Sequence, residues 1–259
     1  MCLIAFAWNT HPRLRLLLLA NRDEFHARPT AALRWWSDAP QILAGRDLQE
    51  GGTWLGISRS GRVAAVTNVR AAEVGGYRRS RGHLVSDFLS GTVDAARHAQ
   101  ALEREAAAYG GFNLLLFDGN QAVHASNRPG FAAVPVGPGV HALSNAALDT
   151  PWPKVRIANA HLRSWLARHD PHDDDPEALF AAMADRNIAG DGDLPDTGVG
   201  QQMERLLSSA FICTPTYGTR STSLLTLDAD GRAQLRERRF DTRGAISGES
   251  EEHFRVAAS

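Results

Sequence analysis

Met1-Cys2-Leu3-Ile4-Ala5-Phe6-Ala7 opens the chain, and the apolar run behind the cysteine is typical of a β-strand. Cysteine is small enough for the usual removal of an initiator methionine. Removal would leave Cys2 with a thiol and a free α-amine, whose ordinary pKa values are about 8.5 and about 8. The neutral amine could then accept the thiol proton, so that one residue supplies both nucleophile and base. The alternative is that Cys2 is a small apolar residue at a strand edge.

The composition is that of an ordinary globular protein, with 259 residues of which 43% are hydrophobic and 22% charged. This length fits one domain spanning residues 1–259. A net charge of −1 argues against a dedicated nucleic-acid binder. The two cysteines, Cys2 and Cys213, form no disulfide framework, which favours a reducing compartment. Leu16–Ala20 is too short to span a bilayer and lacks the layout of a secretory signal, so we expect a cytoplasmic protein without a transmembrane segment.

The N-terminal segment predicts two antiparallel strands joined by a turn, Leu3–Trp8 and Leu14–Ala20. Asn21-Arg22-Asp23-Glu24 follows the second strand, and the pairing brings that strand end close to Cys2. Arg22 could favour a thiolate or bind an anionic group, and Asp23 could hold the α-amine or orient Arg22. A solvated polar turn is the alternative for these four residues.

A polar side chain is predicted at one end of each of three later strands. Asn68 follows Arg62–Thr67, Asn145 follows Val140–Leu143, and Arg220 precedes Leu224–Asp228. A side-chain amide at the end of a rigid strand is a good oxyanion donor, although Asn68 could equally close its strand with a local turn. Arg220 could hold an anionic group or steady Asp23.

Four arginines, Arg70, Arg78, Arg79 and Arg81, follow Asn68 within a short segment. Guanidinium groups in a loop could hold a phosphate or carboxylate of a substrate. More often such a run is a solvated face, and both interpretations stay open.

Helical spacing and caps predict five helices: one capped by Ser80 and ending near Leu89, then Thr92–Tyr109, Trp152–Arg168, Glu177–Asp185 and Val199–Ser208. Phe112–Asp118 and Gln121–Ser126 predict a hairpin around Gly119-Asn120. The stretch Arg28–Gln49 is predicted to be irregular. Its Trp35-Trp36 pair could form a wall beside the site or pack on the core.

The sequence contains no P-loop, dinucleotide fingerprint, HExxH or CxxC motif. His169, His172 and the acidic run Asp173–Asp175 match no compact ligand set, so no metal site is predicted. Cys213 is a weaker nucleophile candidate than Cys2, because nothing nearby in the sequence would activate it.

Six ordered blocks carry a resemblance to a known family: Met1–Ile4, Asn21–Phe25, Gly51–Gly56, Thr67–Arg70, Leu143–Asn145 and Tyr217–Ser221. Together they resemble the NRDE family, also called the transport and Golgi organisation 2-like family, which is grouped with the N-terminal nucleophile (Ntn) hydrolases. The resemblance implies an α+β fold, a four-layer αββα sandwich with two antiparallel sheets between helical layers.

The cysteine branch of those hydrolases, which contains conjugated bile acid hydrolases and penicillin V acylases, is similar more distantly. That similarity implies a catalytic set of Cys2, Arg22, Asp23, Asn68, Asn145 and Arg220. The spacing differs, because in that branch the aspartate lies a few residues beyond the arginine, whereas Asp23 adjoins Arg22. Glu24 is therefore an alternative partner for the amine. Five residues in or beside the matching blocks are predicted to bind substrate: Glu24, Trp54, Arg70, Tyr217 and Ser221.

Members of the family are linked to haem handling, to lipid and acyl-CoA metabolism and, in eukaryotes, to secretory organisation. Two functions therefore stay open. The first is a hydrolase or acyltransferase that cleaves an amide or thioester, a non-peptide C–N bond in the amide case, by attack of Cys2. The second is a carrier of haem or an acyl ligand in the same pocket without turnover. We expect no resident cofactor, with haem only as a possible ligand.

Overall fold

The computed structural model describes residues 3–72, 75–168 and 176–257. Within these residues there are thirteen strands: β1 Leu3–His11, β2 Leu14–Phe25, β3 Thr30–Trp35, β4 Ile42–Asp47, β5 Leu55–Ser58, β6 Val63–Asn68, β7 Phe112–Phe117, β8 Ala122–Ser126, β9 Ala132–Val136, β10 Gly139–Leu143, β11 Tyr217–Asp228, β12 Arg232–Phe240 and β13 Ile246–Arg255. They form a six-stranded sheet in the order β10-β1-β2-β11-β12-β13 and a seven-stranded sheet in the order β3-β4-β5-β6-β7-β8-β9, and every pairing is antiparallel.

The described part of the chain also forms five α-helices: α1 Arg81–Ser90, α2 Ala95–Ala101, α3 Pro153–Arg168, α4 Pro176–Met183 and α5 Gln201–Leu206. Ser80 caps α1 as predicted, since its side chain accepts from the Gly82 N–H. The long helix predicted from Thr92 is shorter, because Asp94 caps α2 and a 3₁₀ helix over Leu102–Ala108 replaces its continuation. Among the described residues, no helix is long and apolar enough to cross a membrane.

Three clusters of buried apolar side chains lie between the strands and helices, which form four layers. The inner faces of the two sheets pack on each other through residues such as Phe6, Leu18 and Leu115. Helices α1 and α2 cover the outer face of the seven-stranded sheet, and α3 and α4 cover that of the six-stranded sheet. Each fully buried large side chain contributes about 1.5–3 kcal/mol. The architecture confirms the predicted α+β, αββα sandwich.

The polar tetrad Asn21–Glu24 lies inside β2, so the interpretation of a solvated turn is wrong. β2 continues to Phe25 because β11 begins early, at Tyr217, and pairs with it. The buried side-chain amide of Asn21 has hydrogen-bond partners in distant segments of the chain. Its Nδ2 donates to the carbonyls of Met183 (2.8 Å) and Ala210 (2.7 Å).

The expectation that Arg28–Gln49 is irregular is also wrong. It forms β3 and β4 at one edge of the seven-stranded sheet, and Trp36 is buried in the core beneath α1. The sequence predicts no strand after Phe240, yet Ile246–Arg255 forms β13 at the edge of the other sheet. Edge strands face solvent and carry few apolar residues, so their pattern is weak.

Candidate functional site

A cavity of about 320 Å³ opens at the end of the sandwich where β2 and β6 approach the loop before α1. Four of the predicted site residues line it: Arg22, Glu24, Trp54 and Asn68. Arg22 and Glu24 come from the six-stranded sheet, and Asn68 from the end of β6 in the other sheet. The fold therefore brings together residues that the sequence keeps up to 46 positions apart.

Arg22 is a buried cation with only 4% of its surface exposed. Its Nη1 donates to Thr30 Oγ1 at 3.1 Å, and its guanidinium lies 4.2 Å from the centre of the Trp54 ring. No carboxylate of the described residues forms an ion pair with it. Burial lowers the pKa of Arg22 below its usual value, and neighbouring Glu24 opposes that effect. An arginine stays protonated at neutral pH, so the cavity wall carries a buried positive charge that no described carboxylate pairs with directly.

Side-chain hydrogen bonds from Asn145 to Asn68 link the ends of the two sheets. Asn145 Nδ2 donates to the backbone carbonyl of Asn68 at 3.0 Å and to its Oδ1 at 2.9 Å. Asn145 is 2% exposed, whereas Asn68 is half-buried and lines the cavity. Because Asn68 accepts through Oδ1, its Nδ2 is left for the cavity, and no described residue accepts from it.

The loop that carries Asn145 is fixed to the seven-stranded sheet by two buried polar side chains. Thr67 Oγ1 donates to the Ser144 carbonyl at 2.6 Å, and Asn113 Nδ2 donates to the Ala146 carbonyl at 2.9 Å. Asn113 Oδ1 in turn contacts His124 Nε2 at 3.2 Å. These contacts hold the Asn145 amide in one place.

Arg70, predicted to bind substrate, is directed away from the cavity lining. Its Nη1 lies 2.5 Å from Glu204 Oε2 in an ion pair whose side chains are 5% and 3% exposed. Its Nη2 donates to Asn145 Oδ1 at 3.4 Å and to the Leu207 carbonyl at 3.2 Å. A guanidinium can only donate, so Arg70 fixes which end of the Asn145 amide faces Asn68.

Glu204 was not anticipated from the sequence, where it is one more acidic residue of a short helix. Burial alone would raise the pKa of Glu204, but hydrogen bonds from Thr197 and Arg70 outweigh it, so the pKa is lowered. Thr197 donates to Oε1 through both its N–H (2.9 Å) and its Oγ1 (2.6 Å). The carboxylate is therefore a fixed anchor for Arg70.

Asp23 and Ser221 each bury a polar atom that no described residue satisfies. Asp23 Oδ1 accepts from Thr219 Oγ1 at 2.6 Å, but its Oδ2 has no partner. Ser221, opposite Arg22 in the β2–β11 pairing, has an unpaired Oγ. An unsatisfied buried polar atom costs roughly 1–3 kcal/mol, so each of these two atoms could accept a further polar partner, although neither residue is part of the cavity lining. Thr219 was not singled out from the sequence.

Arg220 is the extra residue of a bulge, since Thr219 and Ser221 pair with neighbouring residues of β2. Its Nη1 donates to three carbonyls of the loop after β2, those of Phe25 (3.0 Å), His26 (3.2 Å) and Arg28 (3.1 Å). Tyr217 packs edge-on against Phe25 at 5.2 Å and is not part of the cavity lining. Both residues therefore shape the loop beside the cavity.

The predicted nucleophile and a group of residues that the sequence analysis rejected as metal ligands lie outside the described part of the chain. The nucleophile is Cys2, which directly precedes the first described residue. The group comprises His169, His172 and Asp173–Asp175.

The chain is similar to known proteins both in sequence and in fold. The family model described as Transport and Golgi organisation 2 matches residues 1–242. The human Transport and Golgi organization protein 2 homolog is 35% identical over 257 residues, covering 92% of both chains. The Drosophila melanogaster Transport and Golgi organization protein 2 is 24% identical, covering 92% of this chain and 91% of its own.

Two solved structures share the fold at low sequence identity. A Caenorhabditis elegans N-acylethanolamine-hydrolyzing acid amidase ortholog superposes with a TM-score of 0.53 at 11% identity, over 86% of this chain and 92% of its own. A variant of the conjugated bile acid hydrolase from Clostridium perfringens gives 0.52 at 10% identity, over 99% and 97%. The sandwich is thus the one found in Ntn-type hydrolases.

Proposed function

Because the chain belongs to the Transport and Golgi organisation 2 family, we propose that it works as a cysteine N-terminal nucleophile hydrolase on the Ntn-type fold it shares with the two solved hydrolases. Its substrate would be a small acyl compound with an amide or thioester bond. The proposal agrees with the names of the two structural neighbours, an amidase and a bile acid hydrolase, although their likeness extends to the fold alone.

The observation that carries the proposal is the register between β1 and β2. Leu3 lies opposite Asn21, and the next residue of β2 is Arg22. Along β1 the side chains alternate, with Leu3 against the helices and Ile4 between the sheets. Cys2 directly precedes Leu3 in the sequence, and the proposal requires its thiol to come close to the buried Arg22 guanidinium.

The proposed reaction uses the groups at this sheet end in turn. After removal of Met1, the Cys2 α-amine takes the thiol proton, and the positive charge of Arg22 favours the thiolate. The sulfur attacks the substrate carbonyl, and Asn68 Nδ2 donates to the oxyanion. Collapse breaks the C–N or C–S bond, and the α-ammonium returns its proton to the leaving group. Water then hydrolyses the acyl-enzyme, releasing the acid and restoring the thiol.

Asp23 is the proposed partner of the α-ammonium. Its Oδ2 is buried and unpaired among the described residues, whereas its Oδ1 is held by Thr219. Glu24 has other contacts, because its Oε1 accepts from the Phe25 N–H and its Oε2 lies 3.7 Å from Arg28. These contacts favour Asp23 over Glu24 for this role.

The carrier function for haem or an acyl ligand is the second candidate. Most of the cavity lining is charged or polar, and a porphyrin would need broad apolar walls. The polar lining therefore argues against a haem carrier.

Intact mass and a nucleophile exchange test the proposal. We expect purified protein to lack Met1, and Cys2→Ala to abolish hydrolysis of a panel of chromogenic amides and thioesters. Cys213→Ser is the matched control, because that exposed thiol lies outside the cavity lining and should be dispensable. Retention of Met1 in active protein, or full turnover by Cys2→Ala, would overturn the mechanism.

A further inference from the structure

The indole ring of Trp54 lies between a buried arginine and a glycine. The Arg22 guanidinium stands over the ring, 4.2 Å from its centre. At the outer edge of the indole, Cη2 and Cζ2 lie so close to Gly45 that a Cβ atom on this glycine would be 2.5 Å and 2.6 Å from them. Non-bonded carbon atoms pack at about 3.5–4.0 Å, so the indole fills the space that a side chain at Gly45 would need.

Gly45 is needed for this space and not for its backbone conformation. It lies within β4, is buried, and does not adopt a positive φ. Glycine weakens the interior of a strand, and one reason for its presence there is the close approach of another group. A Cβ at Gly45 would also lie 3.1 Å from Glu237 Oε2. Glu237 is 3% exposed and its Oε1 accepts from the Leu33 N–H at 3.0 Å, so this neighbour is held in place as well.

The indole restricts the Arg22 guanidinium to one plane. Among the described residues, the one hydrogen-bond acceptor of this guanidinium is Thr30 Oγ1, which lies 3.1 Å from Nη1. Stacking on an aromatic face leaves the N–H groups of a guanidinium able to donate within its plane. Arg22 is part of the cavity lining. The direction of its remaining donors therefore depends on where the Trp54 ring lies.

We infer that Trp54 and Gly45 are positioning residues for Arg22, because Gly45 seats the indole and the indole fixes the guanidinium at the cavity wall. The backbone of Trp54 is itself fixed, since its carbonyl accepts from the Val66 N–H at 2.9 Å. The inference rests on the proposed function only where it assigns the fixed charge to the Cys2 thiol.

A matched control lies on the opposite face of the same sheet. The Arg46 guanidinium is also 4.2 Å from the centre of a buried tryptophan ring, that of Trp36, which is 5% exposed against 6% for Trp54. Trp36 packs beneath α1, and neither Trp36 nor Arg46 lines the cavity. Trp36→Leu therefore removes an equally large side chain and the same kind of contact without a change next to Arg22.

NMR of the arginine Nε–H groups tests the positioning directly, because an aromatic ring shifts the resonances of protons above its face. The Arg22 signal is assigned by its loss in Arg22→Lys. We expect Gly45→Ala and Trp54→Leu to shift this signal. Trp36→Leu should leave it in place and shift that of Arg46 instead. Thermal unfolding verifies folding, and either test variant suffices if the other does not fold. An Arg22 signal that stays in place in a folded test variant would overturn the inference.

The rate of thiol alkylation tests whether the fixed charge acts on Cys2. In a Cys213→Ser background only Cys2 can be labelled by iodoacetamide. Trp54→Leu should slow labelling near pH 7 several-fold, whereas Trp54→Phe, which keeps an aromatic face, should stay close to the wild-type rate. In the presence of Arg22→Gln, Trp54→Leu should have no further effect, because two changes that act through one group are not additive. An equal slowing in that background would show that Trp54 acts independently of Arg22 and would overturn the inference.

Failure of this inference is distinguishable from failure of the hydrolase proposal. The NMR signal and the labelling rate require no turnover, so both can be measured if no substrate is hydrolysed. A shifted Arg22 signal with an unchanged labelling rate would confirm the positioning of the guanidinium and reject its action on Cys2. Loss of hydrolysis in Cys2→Ala, together with an unmoved Arg22 signal in Gly45→Ala, would support the hydrolase and reject the positioning role.

Discussion

Asn145 donates to Asn68 twice through one side-chain amide, to the backbone carbonyl at 3.0 Å and to Oδ1 at 2.9 Å. Both of its amide hydrogens are thereby used inside the protein. The two asparagines, which the sequence presented as equivalent oxyanion donors, have different positions. Asn68 lines the cavity with an Nδ2 donor that no described residue accepts from, and Asn145 orients its side chain from the opposite side.

The first prediction separates these two roles. Asn68→Asp keeps the acceptor for Asn145 but replaces the Nδ2 donor with an oxygen. We expect kcat to fall about 10²–10³-fold with a smaller change in KM, because an oxyanion donor acts mainly in the transition state. Steady-state kinetics and thermal unfolding measure the effect. Unchanged kcat would show that Asn68 does not donate to the oxyanion.

The second prediction concerns the buried Arg70–Glu204 pair. Glu204→Gln leaves Arg70 charged and partly unpaired, which should destabilise the protein by about 3–5 kcal/mol in urea unfolding. The paired replacement Arg70→Met with Glu204→Leu removes both charges and should recover most of that stability. The double variant should still lose turnover, because Asn145 Oδ1 then lacks the hydrogen bond from Arg70. Normal turnover in the folded double variant would contradict the positioning role.

The third prediction is a pH dependence of stability. Burial lowers the pKa of His124 from 6.5 to about 4, against a weaker opposing effect of Asp149. Between pH 6.5 and 4, His124 therefore binds a proton in the unfolded chain but stays neutral in the folded protein. The contribution of neutral His124 to the free energy of unfolding is fully present above pH 6.5. It should fall by about 3 kcal/mol as the pH drops from 6.5 to 4.

His124→Gln tests the assignment, since an amide can still donate to Asn113 Oδ1 but does not titrate. Its urea unfolding should lose about 3 kcal/mol less between pH 6.5 and 4 than that of wild type. The exposed His161→Gln serves as control and should follow the wild-type curve. Parallel curves for His124→Gln and wild type would contradict the prediction.

The sequence predicted the parts of the site that depend on local pattern. Asn68 and Asn145 follow apolar strand runs, so their place at strand ends could be anticipated. Asn21–Glu24 was harder, because a polar tetrad inside a strand is stable only with partners such as Ala210 and Thr219, almost 200 positions away.

The contacts of Arg70 could not be predicted from the sequence for the same reason. Whether it meets a ligand or an internal carboxylate depends on Glu204, which comes close only once α5 has packed. The direction of the Asn145 amide depends in turn on Arg70. Strand pattern therefore indicates where polar groups gather, but only tertiary packing decides which of them face the cavity.

The last prediction tests the role of Arg22 through the reactivity of Cys2. A neighbouring cation lowers the pKa of a thiol by favouring the thiolate. In a Cys213→Ser background only Cys2 can be alkylated, so the rate of iodoacetamide labelling against pH reports on that thiol alone. Arg22→Gln should shift the rate profile upward by about one pH unit and slow labelling near pH 7 several-fold. Arg22→Lys should shift the profile less, because it keeps the charge but loses the planar contact with Trp54. Arg97→Gln is the matched control and should leave the profile unchanged, because that arginine is 82% exposed and does not line the cavity. If Arg22→Gln and Arg97→Gln gave the same profile in folded protein, Arg22 would not act on the thiol, and its charge would be available only to the substrate.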